Sequence, residues 1–478
     1  MTRPSIEESL QKGAVPAPGA APAAYVWGRD STIRAFFGAN KLVKPHFMAA
    51  AAAALFFGAV RAEAARTVGV RDAIDAAIET NLTAKLAKAD TEAARAQALQ
   101  AASSLLPSVL GTASQGRVLR ENLAAQGLSG GPIPALIGPF NSFDARLSLS
   151  QTLFDLSAID RVRAAGAGKE FAARQEEAAR EQVSAAAALS YVEALRARRS
   201  VAAAKADDEL ARRLLSQAAD QEKEGTATGV DVVRAQTRAA AAAVELLQAQ
   251  VAERDAAIRL SRVAGWPLGE ELAFADDLST SPAAVEPLES ALARARDARP
   301  EAAAARERAR EDGLLVSAAR AESAPTISAL AAVGLSGNEP DGGARAAGAV
   351  GAGLSVPIFS GGLIQGRVDA ARAERSRSEA RLSDVLVQVE EDVRLAYEHL
   401  TEAEKQVSAA EQTRGLAEQE LKMAEDRYEA GTGDNVAVVT AQAELAQARS
   451  AFVSSLAGDQ DARIDLAAAI GAARGFKL

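Results

Sequence analysis

The side chains best suited to catalysis are sparse in this chain of 478 residues. It has 2 His and 0 Cys, which excludes a thiolate nucleophile, a thiolate metal site and a disulfide. His399 stands beside Glu398 inside a long helical pattern, where an exposed helix residue is more common than a metal ligand. Acidic pairs such as Glu390-Glu391 also fall mid-helix, where solvated charge is the default. The sequence therefore predicts no enzyme activity, cofactor or metal site.

Two other groups of residues have types and spacing that point to a function. Gly225-Thr226 and Gly431-Thr432 each stand between two helical patterns, and Gly tolerates the positive φ that such a chain reversal requires. Asp144, Arg146 and Ser148 alternate with apolar residues along a short segment. That alternation places the three polar side chains on one face of a strand.

The composition favours long, closely packed helices. Aromatic residues make up 4% of the chain and apolar residues 48%, and much of the apolar share is Ala, the strongest helix former. A net charge of -9 argues against nucleic acid as a partner, since phosphate binding needs a basic surface. The absence of Cys also excludes an N-terminal lipid anchor on that residue.

The first 64 residues read as a leader followed by a secretory signal. Residues 1–40 are rich in Pro, Ala and Gly, and Lys41 and Lys44 precede an apolar run over 47–60. The end at Arg61-Ala62-Glu63-Ala64 resembles a signal cleavage site, which predicts cleavage after Ala62 or Ala64. The run is shorter than the roughly 20 residues of a spanning helix. A membrane crossing elsewhere would therefore need a closed barrel of strands.

The chain is a tandem duplication. Landmarks recur in the same order at a shift of 206 residues (431 minus 225). The matching pairs are Gly225-Thr226 with Gly431-Thr432, Ala235-Gln236 with Ala441-Gln442, and Gly265 with Gly471. We expect a leader and signal peptide over 1–64, a first repeat over 65–265, a linker over 266–285, a second repeat over 286–471 and a tail over 472–478.

Each repeat has the same predicted plan. A helix of about 35 residues (70–105 and 287–322) precedes two strands, whose connecting loops are rich in Gly and Pro (127–139 and 337–343). A helix of about 100 Å follows (157–224 and 363–430), then a tight turn and a return helix to 264 or 470. Helices this long persist only when they pack sideways on partners.

The second long helix shows a coiled-coil seam with Arg414 as its polar member. The seam residues are Val389, Val393, Ala396, Leu400, Ala403, Val407, Ala410, Ala417, Leu421, Ala424 and Tyr428.

The strand segments alternate between apolar and polar residues over about 10 positions, which is typical of transmembrane strands that face lipid on one side and a lumen on the other. The apolar positions of the returning strand are Phe143, Ala145, Leu147, Leu149 and Leu153. This reading assigns Asp144, Arg146 and Ser148 to a lumen. Two ordinary hairpins covered by helices are the alternative that the strands alone leave open.

The residues around the two turns resemble the TolC-like outer-membrane factor family over about 67–471. The motifs that carry the resemblance are Arg427-Tyr428-Glu429-Ala430-Gly431-Thr432, the stretch 436–442, Ala448-Arg449, Ala469-Ile470-Gly471, the first copy of the turn at 224–236, and Val356-Pro357-Ile358-Phe359 with Gly361-Gly362.

The resemblance implies a mainly α fold with transmembrane β: tandem-duplicated long coiled-coil helices plus two β-hairpins, which in a homotrimer give a 12-stranded β-barrel and an α-helical barrel. It implies the outer membrane of a Gram-negative bacterium, extending into the periplasm. The implied partners are outer-membrane lipid, a periplasmic adaptor protein and an inner-membrane pump of RND or ABC type, without nucleic acid.

The function implied is a passive exit duct for small molecules or proteins, in a tripartite efflux pump or a type I secretion system. A periplasmic coiled-coil adaptor or structural protein is the alternative. An adaptor would have one helical hairpin flanked by β domains, so the duplication argues against it.

The resemblance also implies roles for the turn residues. The periplasmic tip, where the adaptor would bind, is assigned to Gly225, Thr226, Gly229, Val230, Gly431, Thr432 and Val436. A gate is assigned to Asp231, Tyr428 and Asp434. The chain departs from the family pattern in the second repeat, where Gly433 replaces a basic link, and Ala437 and Thr440 replace an acidic ring.

Overall fold

The structure, a computed structural model, describes residues 66–123, 125, 127, 134–279, 286–340, 343–430 and 432–478. The predicted leader and signal segment at 1–64 lies outside the described residues, as do Gly431 and parts of the predicted linker and hairpin loops. Within the described ranges, every helix is too short or too polar to serve as a membrane span.

Within the described residues, the first repeat contains two short helices, five strands and two long helices. Its elements are β1 (Arg66–Val68), α1 (Val70–Thr80), α2 (Leu82–Ser103), β2 (Ser108–Val118), β3 (Glu121–Asn122), β4 (Leu136–Ile137), β5 (Phe140–Phe154), α3 (Leu156–Lys223) and α4 (Gly229–Ala264).

The second repeat follows the same plan after a short strand. Its elements are β6 (Leu272–Phe274), α5 (Leu288–Ala298), α6 (Pro300–Ala321), β7 (Thr326–Gly337), β8 (Arg345–Ser355), α7 (Leu363–Glu429), α8 (Asn435–Ala469) and a 3-10 turn (Ala473–Gly475). The long helices α3 and α7 begin and end within one residue of the predicted bounds.

The single helix of about 35 residues predicted at the start of each repeat is wrong. In the first repeat Asn81 adopts an extended backbone, and its side chain accepts a hydrogen bond from the backbone N–H of Thr83. In the second repeat Pro300 is the first residue of α6, and proline disfavours the helical conformation at the preceding Arg299. Both breaks turn the chain between a short helix (α1 or α5) and a longer one (α2 or α6).

Four strands form one antiparallel sheet in the order β2-β5-β7-β8. Cross-strand partners share a face, so the register confirms the predicted alternation. One row of partners is Val109, Leu149, Ala331 and Val350, and another, on the opposite face, is Ser114, Asp144, Ser336 and Arg345. Strands β2 and β8 are the two edges of this sheet.

The long helices pack side by side rather than around one central core. Helix α3 contacts α2 and α6 along one half and α4 and α8 along the other, while α7 contacts α6 and α8. Most seam residues of α7 are buried, and the guanidinium of Arg414 lies 4.2 Å from the ring centroid of Phe452 in α8. The predicted seam is therefore confirmed, with its polar member stacked on an aromatic ring.

A second layer lies where α1 packs on the middle of α3. The short strands β1 and β6 pair in parallel. The hydroxyl of Tyr191 donates to the backbone oxygen of Val68 or the carboxylate of Asp276, each at 2.9 Å. Tyr191 is fully buried, so this bond holds the segment after α4 against α3.

Candidate functional site: the turns at the ends of the helical hairpins

The turn between α3 and α4 is a helix C-cap with glycine in the left-handed region. Gly225 has a φ of +79°, and its backbone N–H donates to the oxygen of Glu222 at 3.0 Å. The N–H of Thr226 donates to the oxygen of Gln221 at 2.9 Å. These two bonds satisfy the last carbonyls of the helix in the manner of a Schellman motif.

The turn between α7 and α8 contains the equivalent of the second of these bonds. The N–H of Thr432 donates to the oxygen of Arg427 at 3.0 Å, and its hydroxyl donates to the same oxygen at 3.2 Å. The hydroxyl of Thr226 makes the equivalent bond to Gln221 at 3.0 Å. Both threonines therefore tie their turn to the preceding helix. Gly431 lies outside the described residues.

The return helices begin with different acidic caps. In α4 the carboxylate of Asp231 accepts from the backbone N–H of Thr228 at 3.0 Å and from its hydroxyl at 2.6 Å. The Thr228 hydroxyl bond, more than any other contact, lowers the pKa of Asp231 below its ordinary value. In α8 the acid is the N-cap residue, Asp434, whose carboxylate accepts from the backbone N–H of Val436 at 3.0 Å.

The three predicted gate residues lie close enough to interact electrostatically. The phenol oxygen of Tyr428 is buried and, within the described part of the chain, lacks a hydrogen-bond partner. Burial raises the pKa of Tyr428, and the charges of Asp231 and Asp434 raise it further. Tyr428 therefore lies among the acids of both turns without bonding to either carboxylate.

Asn435 joins the two turns, and sequence reasoning missed it. Its side-chain nitrogen donates to the backbone oxygen of Asp231 at 3.1 Å, and the residue is buried. A second, exposed bond runs from the amide of Gln217 to the carboxylate of Glu429 at 3.2 Å. The only signal available in the sequence was a second polar residue directly after the Asp434 cap.

Gly433 lies against the end of α7. A Cβ atom at this position would be 3.0 Å from the backbone carbon of Arg427 and from the backbone nitrogen of Tyr428. A side chain at Gly433 would therefore need the last turn of α7 to shift by a few tenths of an ångström.

The residues predicted to meet an adaptor lie at or beside these turns. Gly229 is the first residue of α4, and the next residue, Val230, is exposed, as is Val436 in the first turn of α8. The described tip residues therefore present two apolar side chains beyond the caps.

The predicted lumen-facing residues share one face of β5. Arg146 and Asp144 form an ion pair at 2.5 Å, and the hydroxyl of Ser148 donates to the oxygen of Leu110 at 3.3 Å. The strand geometry thus brings these three polar side chains together on one face, as the alternation predicts.

Comparisons with known proteins agree with this architecture. The sequence matches the family model of the outer membrane efflux protein over residues 73–266 and 288–472. Protein CyaE of Bordetella pertussis is 29% identical over 333 residues, which is 68% of this chain and 70% of CyaE.

Two solved structures share the fold. The CmeC outer membrane channel of Campylobacter jejuni superposes with a TM-score of 0.73 at 20% identity, over 85% of this chain and 86% of CmeC. The outer membrane protein VceC of Vibrio cholerae gives a TM-score of 0.72 at 21% identity, over 84% of this chain and 96% of VceC.

The family match covers both repeats, including both turns and both long helices of each repeat. Outer membrane factors form trimers and work with adaptor proteins and inner-membrane pumps. The chain belongs to the outer membrane efflux protein family, and is thus a channel protein of the outer membrane that extends into the periplasm, not an enzyme.

Proposed function

We propose that three copies of this chain form a passive exit duct for small molecules or proteins. The duct receives its cargo from an inner-membrane pump of RND or ABC type through a periplasmic adaptor. One observation carries the proposal. Residues that are buried between helices in one repeat have apolar counterparts in the other repeat that are exposed on the surface of the chain.

Helix α4 has an exposed apolar stripe where its counterpart α8 is buried. Ala457 and Ile464 of α8 are 1% and 0% exposed, in one cluster with residues of α3. Their counterparts 206 positions earlier, Val251 and Ile258 of α4, are 51% and 47% exposed. In α8 these positions pack against α3. The equivalent positions of α4 would therefore pack against α7, which is the repeat counterpart of α3.

Helix α7 supplies the matching surface. Leu210 of α3 is 8% exposed in a cluster with α8, whereas its counterpart in α7, Leu416, is 59% exposed. A second copy whose α7 lies against α4 would cover both surfaces with the contact that α3 and α8 already make. Each copy has one such α4 and one such α7, so the contact is head-to-tail, the kind of contact that forms a ring when the rotation between neighbours closes.

The sheet, like the helices, has surfaces that a second copy could cover. Strands β2 and β8 each have one neighbour among the described strands, and their free edges would leave backbone groups unpaired in lipid. Pairing β8 of one copy with β2 of the next removes both edges. The polar face with Asp144 and Arg146 would then line the passage, while the row with Leu149 and Val350 would face outer-membrane lipid.

The turns would form the periplasmic mouth, meaning the end of the ring at residues 225–231 and 428–436. Val230 and Val436 are large, exposed apolar residues available there to an adaptor. Asp231, Tyr428 and Asp434 would form the gate, since their charges and the buried phenol meet where the two hairpins end.

Membrane fractionation and bilayer recording test the proposal together. We expect the chain in outer-membrane extracts as a detergent-stable trimer that co-purifies with an adaptor and a pump, and that opens ion-conducting channels in planar bilayers. A chain recovered as a water-soluble monomer without detergent would contradict the proposal.

A further inference from the structure

His399 of α7 is the single histidine among the residues that the structure describes, since His46 lies outside them. Its side chain is exposed in one chain. Leu395, one turn earlier on the same helix, is 50% exposed. Both residues therefore belong to a surface of α7 that a single chain leaves uncovered.

The equivalent surface of α3 is covered within the chain. At a shift of 206, His399 corresponds to Glu193 and Leu395 to Leu189. Leu189 packs against the buried cluster that includes Ile464 of α8. The counterpart of the exposed surface thus faces α8.

Charged residues lie at this internal junction between α3 and α8. Burial raises the pKa of Asp461 in α8 to about 6, and the charges of Asp465 and Glu193 add to the rise, whereas the guanidinium of Arg196 opposes it. Arg196 also bonds to the carboxylate of Glu193, with Nε and Oε2 2.7 Å apart. One arginine therefore offsets the acids that face each other across the junction.

The same positions carry different charges where two copies would meet. In the proposed ring, α7 of one copy lies against α4 of the next, just as α3 lies against α8 within each chain. The counterparts of Glu193, Arg196 and Asp461 are His399, Glu402 and Asp255. The arginine is replaced by an acid, and the histidine is the one basic group of the three.

Asp255 lies within the apolar stripe of α4 that would face α7. It follows Val251 by one turn and precedes Ile258 by three residues, and these two apolar residues are 51% and 47% exposed. Asp255 is itself exposed in one chain. The equivalence of the two junctions therefore places Asp255 of one copy opposite His399 of its neighbour.

The surroundings of His399 are mainly acidic. Glu398 and Glu402 lie beside it on α7. Burial raises the pKa of Asp465 in α8, and the charge of His399 opposes that rise, so these two side chains are neighbours within one chain. The next copy would add Asp255 and, one turn further along α4, Arg259. A protonated imidazole at this position would be attracted by carboxylates from three helices.

We propose that His399 of each copy forms an ion pair with Asp255 of the next copy, and that this pair holds the copies together while the imidazole is protonated. The inference rests on the proposed ring. Histidine is positively charged below about pH 6.5, so the contribution of the pair is fully present at lower pH and is lost as pH rises. In the lower window in which Asp461 titrates, the imidazole stays charged, and the pair adds no pH dependence there.

Matched cysteine pairs test the placement of the two residues, because the chain has 0 Cys of its own. One variant carries His399→Cys with Asp255→Cys, and the other carries the internal counterparts, Glu193→Cys with Asp461→Cys. Each detergent-solubilised full chain is treated with a short bismaleimide cross-linker. The first pair should join copies on a denaturing gel, whereas the second should leave the chain monomeric, with its cross-link found inside one chain by mass spectrometry.

Two outcomes of cross-linking would count against different claims. A first pair that leaves the chain monomeric, although the unmodified protein has the native mass of a trimer, would overturn the inference. An unmodified protein that forms no trimer would contradict the proposed ring itself.

Subunit exchange tests the ion pair separately from the placement. Trimers labelled with donor or acceptor fluorophores are mixed at pH 6 and at pH 8.5, and exchange should be about threefold faster at pH 8.5. His399→Gln and Asp255→Asn should each remove this difference, and their combination should add nothing further. Asp461→Asn, which changes an acid inside one chain, is the control and should retain the difference.

Charge variants distinguish an ion pair from a role in packing alone. His399→Lys keeps its positive charge at both pH values and should exchange slowly at both. His399→Asp with Asp255→His reverses the pair and should restore the pH dependence. An unmodified chain whose exchange rate is the same at both pH values would overturn the inference, as would an unaltered pH dependence in His399→Gln.

Discussion

The two helical hairpins, α3–α4 and α7–α8, share the bonds that a threonine makes at the turn but differ in the acid that caps the return helix. Thr226 and Thr432 make the same bonds to the preceding helix. The acid that caps the return helix, however, is Asp231 in the third position of α4 and Asp434 immediately before α8. A helix N-terminus favours a negative charge anywhere in its first turn. The acid can therefore occupy different positions in the two hairpins while both return helices remain capped.

The hairpins differ again in burial. Helix α8 lies between α7 and α3, whereas α4 has α3 as its main long-helix neighbour and exposes Val251 and Ile258 on its other side. The apolar positions shared by α4 and α8 are therefore buried against α3 in α8 and exposed in α4. The internal junction also contains the ion pair between Asp207 of α3 and Arg449 of α8.

The largest expected effect comes from charging the exposed stripe. Val251→Asp with Ile258→Asp should abolish the trimer, because a second copy would have to bury two unpaired carboxylates. Light scattering of the detergent complex measures the number of chains. Ala252→Asp, an exposed substitution about 100° around the same helix from Val251, should keep the trimer. Trimers in the double variant would show that α4 is not the contact surface.

A smaller effect is expected from the proposed gate. Asp231→Ala with Tyr428→Phe should raise leakage of antibiotics through the duct, and we expect most of that change to come from Asp231. The carboxylate caps α4, whereas the Tyr428 hydroxyl is buried without a partner in the described residues. Tyr428→Phe alone should therefore change little. Unchanged single-channel conductance in the double variant would contradict this assignment.

The turn glycine gives a moderate effect on stability. Gly225→Val should lower the free energy of unfolding by about 1–3 kcal/mol, because a β-branched residue at this positive φ is strained. Gly225→Asn should cost less, since Asn enters the left-handed region more readily. Thermal unfolding of the purified trimers measures both. Equal losses for Val and Asn would show that the turn does not depend on φ.

The smallest effect concerns Asp461 of α8, which is half-buried, whereas its repeat counterpart Asp255 in α4 is exposed. Burial raises the pKa of Asp461 to about 6, and Asp465 and Glu193 add to the rise. The folded chain then binds more protons than the unfolded chain between pH 3.8 and about 6, so stability falls as pH rises through that window and levels off above it.

Asp461→Asn should therefore raise the free energy of unfolding at pH 7 by about 1 kcal/mol, a value discounted for partial exposure, and flatten its pH dependence. Asp255→Asn, the exposed counterpart in α4, is the control. Thermal unfolding midpoints between pH 4 and 8 measure both variants. A pH profile that Asp461→Asn leaves unaltered would contradict the assigned titration.

The sequence predicts features whose signal is local and periodic. The bounds of α3 and α7, the turns at Gly225 and Thr432, and the alternation of β5 follow from helical spacing, glycine and period two. The break before Pro300 was readable in principle, because proline disfavours the helical conformation at the preceding Arg299, but the surrounding Ala-rich pattern obscured it.

Contacts between distant segments left no such signal. Asn435 bonds to a backbone oxygen 204 residues away, and Arg449 pairs with an acid 242 residues away. Neither residue type reveals its partner, since a backbone acceptor has no sequence signature and Arg in a helix is usually solvated. These two contacts therefore emerge only from the packing of the hairpins.

The central claim is that exposed surfaces of one repeat are covered by the other repeat of a second copy. Native mass spectrometry of the detergent-solubilised protein tests it most directly. The account predicts a complex of three chains that the Val251→Asp and Ile258→Asp variant does not form. A monomer as the largest species of the unmodified chain would contradict it.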